Sequence, residues 1–278
     1  MNWRIVTDSS CDYVLDQELP ENIKISKVPF IITIGEKDYI DNEDLNVDEM
    51  INDMESCVEA SHTACPSPET WAEEFKKDDY TIAITISANL SGSYNSAMLA
   101  KNIVEETYHE KKVYVLNSKS AGSVLSMYLE TAIELIKEGK SFDEVVEFLE
   151  KSMEDKHTIF ALASFSNLVK NGRVGKVAGF LAKVLKIWGI GIASPEGTIV
   201  VKKKLRGIKN VIKAFIEDMK ENNFIGKYVI ISHCGNHELA TKLKEALIET
   251  LEKVKVKILS TRGLCSFYTE RKGLIVSY

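Results

Sequence analysis

The segment richest in chemistry is Ser91-Gly92-Ser93, inside the run TISANLSGSYNSAMLAKNIV. An apolar strand ends near Ser87, a short loop follows, and a helix begins near Ser93. The first amides of a helix have no partner inside it, so they attract an anion. Gly92 lets the backbone come close to a ligand, and the hydroxyls of Ser91 and Ser93 add donors. Either serine taken alone reads first as a simple helix cap. Their clustering after a buried strand brings the two readings level.

Two further segments carry hydroxyls at places where a sheet opens onto a crevice. Thr63, in ASHTACPSPETW, precedes a helix start, although alone it reads as an ordinary turn. Asp8, Ser9 and Ser10 directly follow the first strand, in TDSSCD. They face a ligand crevice or bond locally within a turn, and the sequence leaves both readings open.

Other chemistries fit less well. A serine esterase or thioesterase would use Ser91 or Ser93 as nucleophile. Its elbow reads G-x-S-x-G, whereas the chain offers S-G-S, and spacing assigns no His–Asp pair to it. Gly139-Lys140-Ser141 matches the end of a phosphate loop, but the earlier glycine falls on Glu134. Gly189-Ile190-Gly191 lacks the third glycine of a dinucleotide loop, with Ser194 in its place. His233, Cys234 and His237 are zinc-ligand types, yet a strand-to-helix turn with His237 in the first helical turn explains them better.

These residues need elements to position them. Short β-branched runs alternate with helical patterns. Strands are predicted at Arg4 to Thr7, Lys27 to Ile34, Tyr80 to Ile86, Lys112 to Leu116, His157 to Ala163, Lys227 to Ser232 and Val254 to Leu259. TIAITI and YVIIS are apolar at nearly every position, the mark of strands buried on both faces. Ser67 with Pro68 and Glu69, Ser141 with Glu144, and Asn236 signal helix starts. Ile187 to Ala193, SPEG and TIVVKKKL read as a hairpin.

The order predicts an α/β protein of two α/β domains, residues 1–155 and 156–278, the first with a largely parallel, Rossmann-like sheet. The apolar stretch Val177 to Trp188 reads as core or as the wall of a ligand tunnel. A length of 278 residues suits two domains. The formal charge of −6, without a dominating basic cluster, argues against nucleic acid and anionic membrane as partners. The five cysteines are scattered and never in C-x-x-C spacing, which favours reduced thiols and a cytoplasmic protein. No apolar run is long enough for a signal peptide or a membrane span.

Five segments, in order, carry a family resemblance: V-T-D-S-S, T-A-C-P-S-P, I-S-A-N-L-S-G-S-Y-N-S-A, NSKSAGS (117–123) and NLVKNGRVGK (167–176). Over nearly its whole length the chain resembles the DegV family. The resemblance implies a long-chain fatty acid, such as palmitate, bound in a tunnel between two α/β domains, with no cofactor and no catalysis by the chain itself. It implies a partner in some members, a fatty acid kinase catalytic subunit that receives the acid and makes an acyl phosphate. It assigns Thr63 and Ser91 to the head group, with Gly92, Ser93 and Ser9 beside them, and Arg173 to the tunnel mouth. One segment departs from the pattern. Many members carry a histidine in an H-T-G-P-G-type loop near the C-terminus. Here the region reads CSFYTERKGLIVSY, and no histidine follows His237. Tyr268 is the candidate substitute, and the binding role carries over more directly than the kinase-coupled one.

Overall fold

The computed structural model describes residues 1–15, 17–174 and 187–278. Among these, the chain begins with β1 (Trp3–Asp8), β2 (Ile23–Val28), β3 (Ile31–Ile34), β4 (Lys37–Ile40), α1 (Val47–Ser56), β5 (His62–Ala64), α2 (Pro68–Phe75) and β6 (Tyr80–Thr85). It continues with α3 (Ser93–Thr107), β7 (Lys112–Asn117), α4 (Ser123–Lys137), α5 (Phe142–Ser152), β8 (Thr158–Leu162), α6 (Ser166–Lys170) and β9 (Ile187–Ala193). It ends with β10 (Ile199–Arg206), α7 (Ile208–Glu221), β11 (Tyr228–His233), α8 (His237–Thr250), β12 (Lys255–Ser260), α9 (Gly263–Thr269) and β13 (Leu274–Ser277).

The first sheet is parallel throughout, in the order β2-β1-β6-β7. Alternate side chains of a strand point to opposite faces, and here both faces are covered. Ile5, Ile82, Ile84 and Leu116 pack on Leu125, Tyr128 and Leu129 of α4 and on Leu149 of α5. Val6, Ala83, Val113 and Val115 pack on Trp71 and Phe75 of α2 and Ala97 and Val104 of α3. The apolar run at Tyr80–Thr85 is the consequence.

The second sheet runs β10-β9-β8-β13-β11-β12, and only β11 and β12 pair in parallel. Ile159, Ala161, Leu274 and Val276 pack against Val211 and Phe215 of α7 and Leu239 and Leu243 of α8. Their strand neighbours Phe160, Leu162 and Ile275 turn the other way. That other face looks toward the loops of the first sheet. Helix α4 bridges the two sheets: Met127 packs on Ile230 and Leu259, Ser123 bonds Ser277 at 2.8 Å, and Glu130 pairs with Lys257 at 2.9 Å.

The strand predicted from Lys27 to Ile34 is two strands. Pro29 has no amide for a ladder, so β2 ends at Val28. The Phe30 amide bonds Ser9 Oγ at 3.0 Å, and β3 joins a small antiparallel sheet, β4-β3-β5. The predicted caps form. Ser67 accepts the Thr70 amide at 3.3 Å with Pro68 at the first helical position. Ser141 and Glu144 make a reciprocal capping box.

Candidate functional site

A cavity of about 370 Å³ lies between the second sheet and the loops of the first. That is within the usual range for a small-molecule site, about 300–1,000 Å³. Its largest apolar surfaces come from Phe160, Leu162 and Ile275 of the second sheet, Leu264 of α9, and Phe30 and Ile86. The inner face of β8 and β13 has nothing else to pack against there, which is why those side chains border open space.

Polar groups gather on the side of the first sheet. Thr63 stands in β5, paired with Ile32, and its Oγ1 shares a hydrogen bond of 3.0 Å with the Tyr268 hydroxyl. Ser91 and Gly92 border the same cavity, as does Arg173. Ser91 Oγ accepts the Ser93 amide at 3.3 Å. Gly92 opens α3 without a side-chain cap, and a side chain there would crowd Cys65 Sγ at 3.3 Å. The Arg173 guanidinium donates to the carbonyls of Leu90, at 3.0 Å, and Asn171. Among the described residues no carboxylate pairs with it.

Behind this rim lies a buried polar frame. Asp8, at the end of β1, accepts the Ile86 amide at 2.9 Å and the Ser93 hydroxyl at 2.7 Å, and also the Ser10 hydroxyl. One carboxylate thus ties together β1, the end of β6 and the first turn of α3. Burial raises its pKa, opposed first by the Ser10 hydrogen bond. Asp41, after β4, accepts the Gly263 and Leu264 amides at 2.9 and 2.7 Å and so caps α9 from a distant part of the chain. Burial raises its pKa as well. Asp12 accepts the Arg262 amide at 2.8 Å, and burial pushes its carboxyl up to about 6. Cys265 donates to the Ser10 carbonyl at 3.2 Å. The frame holds Tyr268, on α9, against Thr63.

The structure divides the residues singled out in the sequence. Thr63, Ser91, Gly92, Arg173 and Tyr268 converge on the cavity. Ser9 and Ser93 do not border it. Both are fully buried, Ser9 holding the Phe30 amide and Ser93 donating to Asp8. Their hydroxyls build the crevice. Of the stretch 177–188, residues 177–186 lie outside the described residues, and Trp188 packs into the core against α7 and α8. His233 Nδ1 accepts the Asn236 amide at 3.2 Å, and the buried Cys234 thiol points to the Ser266 carbonyl. Among the described residues no such cluster can hold a metal ion. None of the described residues around the cavity is a histidine, so neither Ser91 nor Ser93 has the base a nucleophile needs.

Sequence reasoning missed Asp41, Ser120 and Cys265. Asp41 acts on residues more than two hundred positions away, and no local pattern signals that.

The model of the DegV family, described as an uncharacterised protein family, matches residues 2–278. The chain belongs to the DegV family. Among DegV proteins of known structure it is similar to the Streptococcus pneumoniae fatty acid kinase (Fak) B3 protein loaded with linoleic acid. The two are 37% identical with a TM-score of 0.96, over 100% of this chain and 99% of that one. A DegV family protein from Eubacterium eligens, loaded with heptadecanoic acid, is 34% identical with a TM-score of 0.93, over 99% and 98% of the two chains. One from Ruminococcus gnavus, refined with vaccenic acid, is 31% identical with a TM-score of 0.91, over 99% of both.

Proposed function

We propose that this chain binds a long-chain fatty acid in the cavity between its sheets and serves as the acid-carrying subunit for a separate fatty acid kinase. The observation that carries the reading is an apolar cavity with its few polar side chains gathered on one side. Three relatives above 30% identity that hold fatty acids, one of them a fatty acid kinase B protein, support it. The proposed division into residues 1–155 and 156–278 falls between α5 and β8, so each unit keeps one large sheet. Five free cysteines support a reducing, cytoplasmic setting.

The chain's own residues divide the work. Burying the methylenes of a palmitate-sized acid at about 0.8 kcal/mol each gives roughly 10 kcal/mol gross. Immobilisation takes back several kcal/mol of it. Hydrogen bonds to the carboxylate add about 1.5–3 kcal/mol each. The tail sets affinity and the head sets orientation. The first turn of α3 already receives the Asp8 carboxylate through Ser93. Helix amides alone therefore do not explain an anion there. The Thr63–Tyr268 pair, the Ser91 hydroxyl and the Arg173 guanidinium supply the donors and the positive charge. Tyr268 stands where the family's loop histidine is missing.

Calorimetry with a free acid and its methyl ester tests the head group. The ester is expected to bind at least tenfold more weakly, about 1.4 kcal/mol, because it brings no charge to Arg173. Equal affinity would remove the carboxylate from this site.

A further inference from the structure

Ser120 follows β7 and borders the cavity beside Ala121, Phe30 and Ile86. Its backbone is fully engaged. The amide bonds Ser118 Oγ at 3.2 Å, and the carbonyl accepts the Ser87 amide at 2.9 Å and the Ser118 hydroxyl at 3.1 Å. Its side-chain hydroxyl is different. The residue is 6% exposed, and the hydroxyl has no partner among the described residues.

The other threonine and tyrosine hydroxyls at the wall have found partners. Thr63 is paired with Tyr268, Thr158 with Ser277, Thr198 with Ser194, and Thr269 with the Cys265 carbonyl. A buried hydroxyl left unpaired is unfavourable, so a structure that keeps one at a ligand cavity has a partner in what fills it.

We propose that Ser120 is a second polar anchor of this cavity, one that accepts an acyl chain with an oxygen along its length, a hydroxy fatty acid. The inference rests on the fatty-acid reading above and adds a substrate class to it. A carboxylate needs several converging donors. Ser120 offers a single one, because its own amide is bound to Ser118 and that of Gly122 to the Ser10 carbonyl. One neutral group that both gives and takes a hydrogen bond matches a neutral hydroxyl on the ligand. In an apolar surround, a chain hydroxyl loses its water whether or not it finds a partner, and only the correct carbon position recovers the loss.

The test is a set of equal-length acids, one plain and the others hydroxylated at successive carbons, titrated into the full chain and into Ser120→Ala. The wild type is expected to bind one positional isomer at least as tightly as the plain acid. Ser120→Ala should weaken that isomer about tenfold and leave the plain acid within about twofold. Thermal melting of Ser120→Ala should match or exceed the wild type, since the variant removes an unpaired polar group. The proposal is overturned if every hydroxylated isomer binds more weakly than the plain acid. It is equally overturned if Ser120→Ala weakens plain and hydroxylated acids alike, or weakens neither. Failure of the plain acid itself to bind the wild type would overturn the fatty-acid reading, and this inference with it.

Discussion

The two walls of the cavity are built on different principles. The wall made by the loops of the parallel sheet is polar, short-range and held by hydrogen bonds, with Asp8 and Asp41 each fixing elements far apart in the chain. The wall made by the second sheet is apolar and held by packing, with Phe160, Leu162 and Ile275 facing open space. The first has one arrangement that satisfies its buried carboxylates. The second can change volume residue by residue. A head group that must be presented in one orientation belongs on the first, and an acyl tail of variable length belongs on the second.

The comparison breaks first at Asp8. Asp8→Ala leaves the Ser93 hydroxyl and the Ile86 amide without their acceptor, and it is expected to destabilise by about 3–5 kcal/mol in urea unfolding. A loss below about 1 kcal/mol would mean that the polar wall is not held by this carboxylate. Phe160→Ala, on the other wall, should destabilise by about 3 kcal/mol and shift preference toward bulkier acyl chains. An unchanged chain preference would place the tail elsewhere.

Asp12 sharpens the contrast through pH. Its carboxyl is raised from 3.8 to about 6 by burial, so the folded chain holds this proton more tightly than the unfolded one. The resulting stability is fully present below about pH 4 and is lost as pH rises through about 6, on the order of 3 kcal/mol. Asp12→Asn keeps an acceptor for the Arg262 amide and should remove that part of the pH dependence. Unfolding free energies at pH 4 and pH 7.5 that change in parallel for both proteins would rule out the assignment.

The smallest expected effects separate neighbours within one motif. Ser91→Ala and Thr63→Ala should weaken fatty-acid binding by about 1–3 kcal/mol with little change in stability. Ser93→Ala should do the reverse and cost stability by a similar amount, because its hydroxyl serves Asp8. Binding losses equal in Ser91→Ala and Ser93→Ala would erase the distinction between rim and frame.

This division also marks what the sequence could disclose. Local signals were legible: the apolar run of β6, the Ser67 and Ser141 caps, and the turn that places Ser91 and Gly92 at the cavity. Ser93 could not be separated from Ser91, because the difference lies in Asp8, on another strand. Pro29 was visible, but its consequence, the transfer of β3 to a third sheet, depends on the partner strands β4 and β5. Short β13 sits at the centre of the second sheet and carries only four residues of pattern. The apolar wall has no motif at all, because burial on one face of a sheet is indifferent to which large apolar residue supplies it.

The account depends most on what occupies the cavity. Mass spectrometry of small molecules extracted from the purified, denatured full chain tests this directly. A long-chain fatty acid in near-stoichiometric amount is the expected result. A protein that comes out empty, and stays empty after incubation with fatty acids from saturated to polyunsaturated, would contradict it.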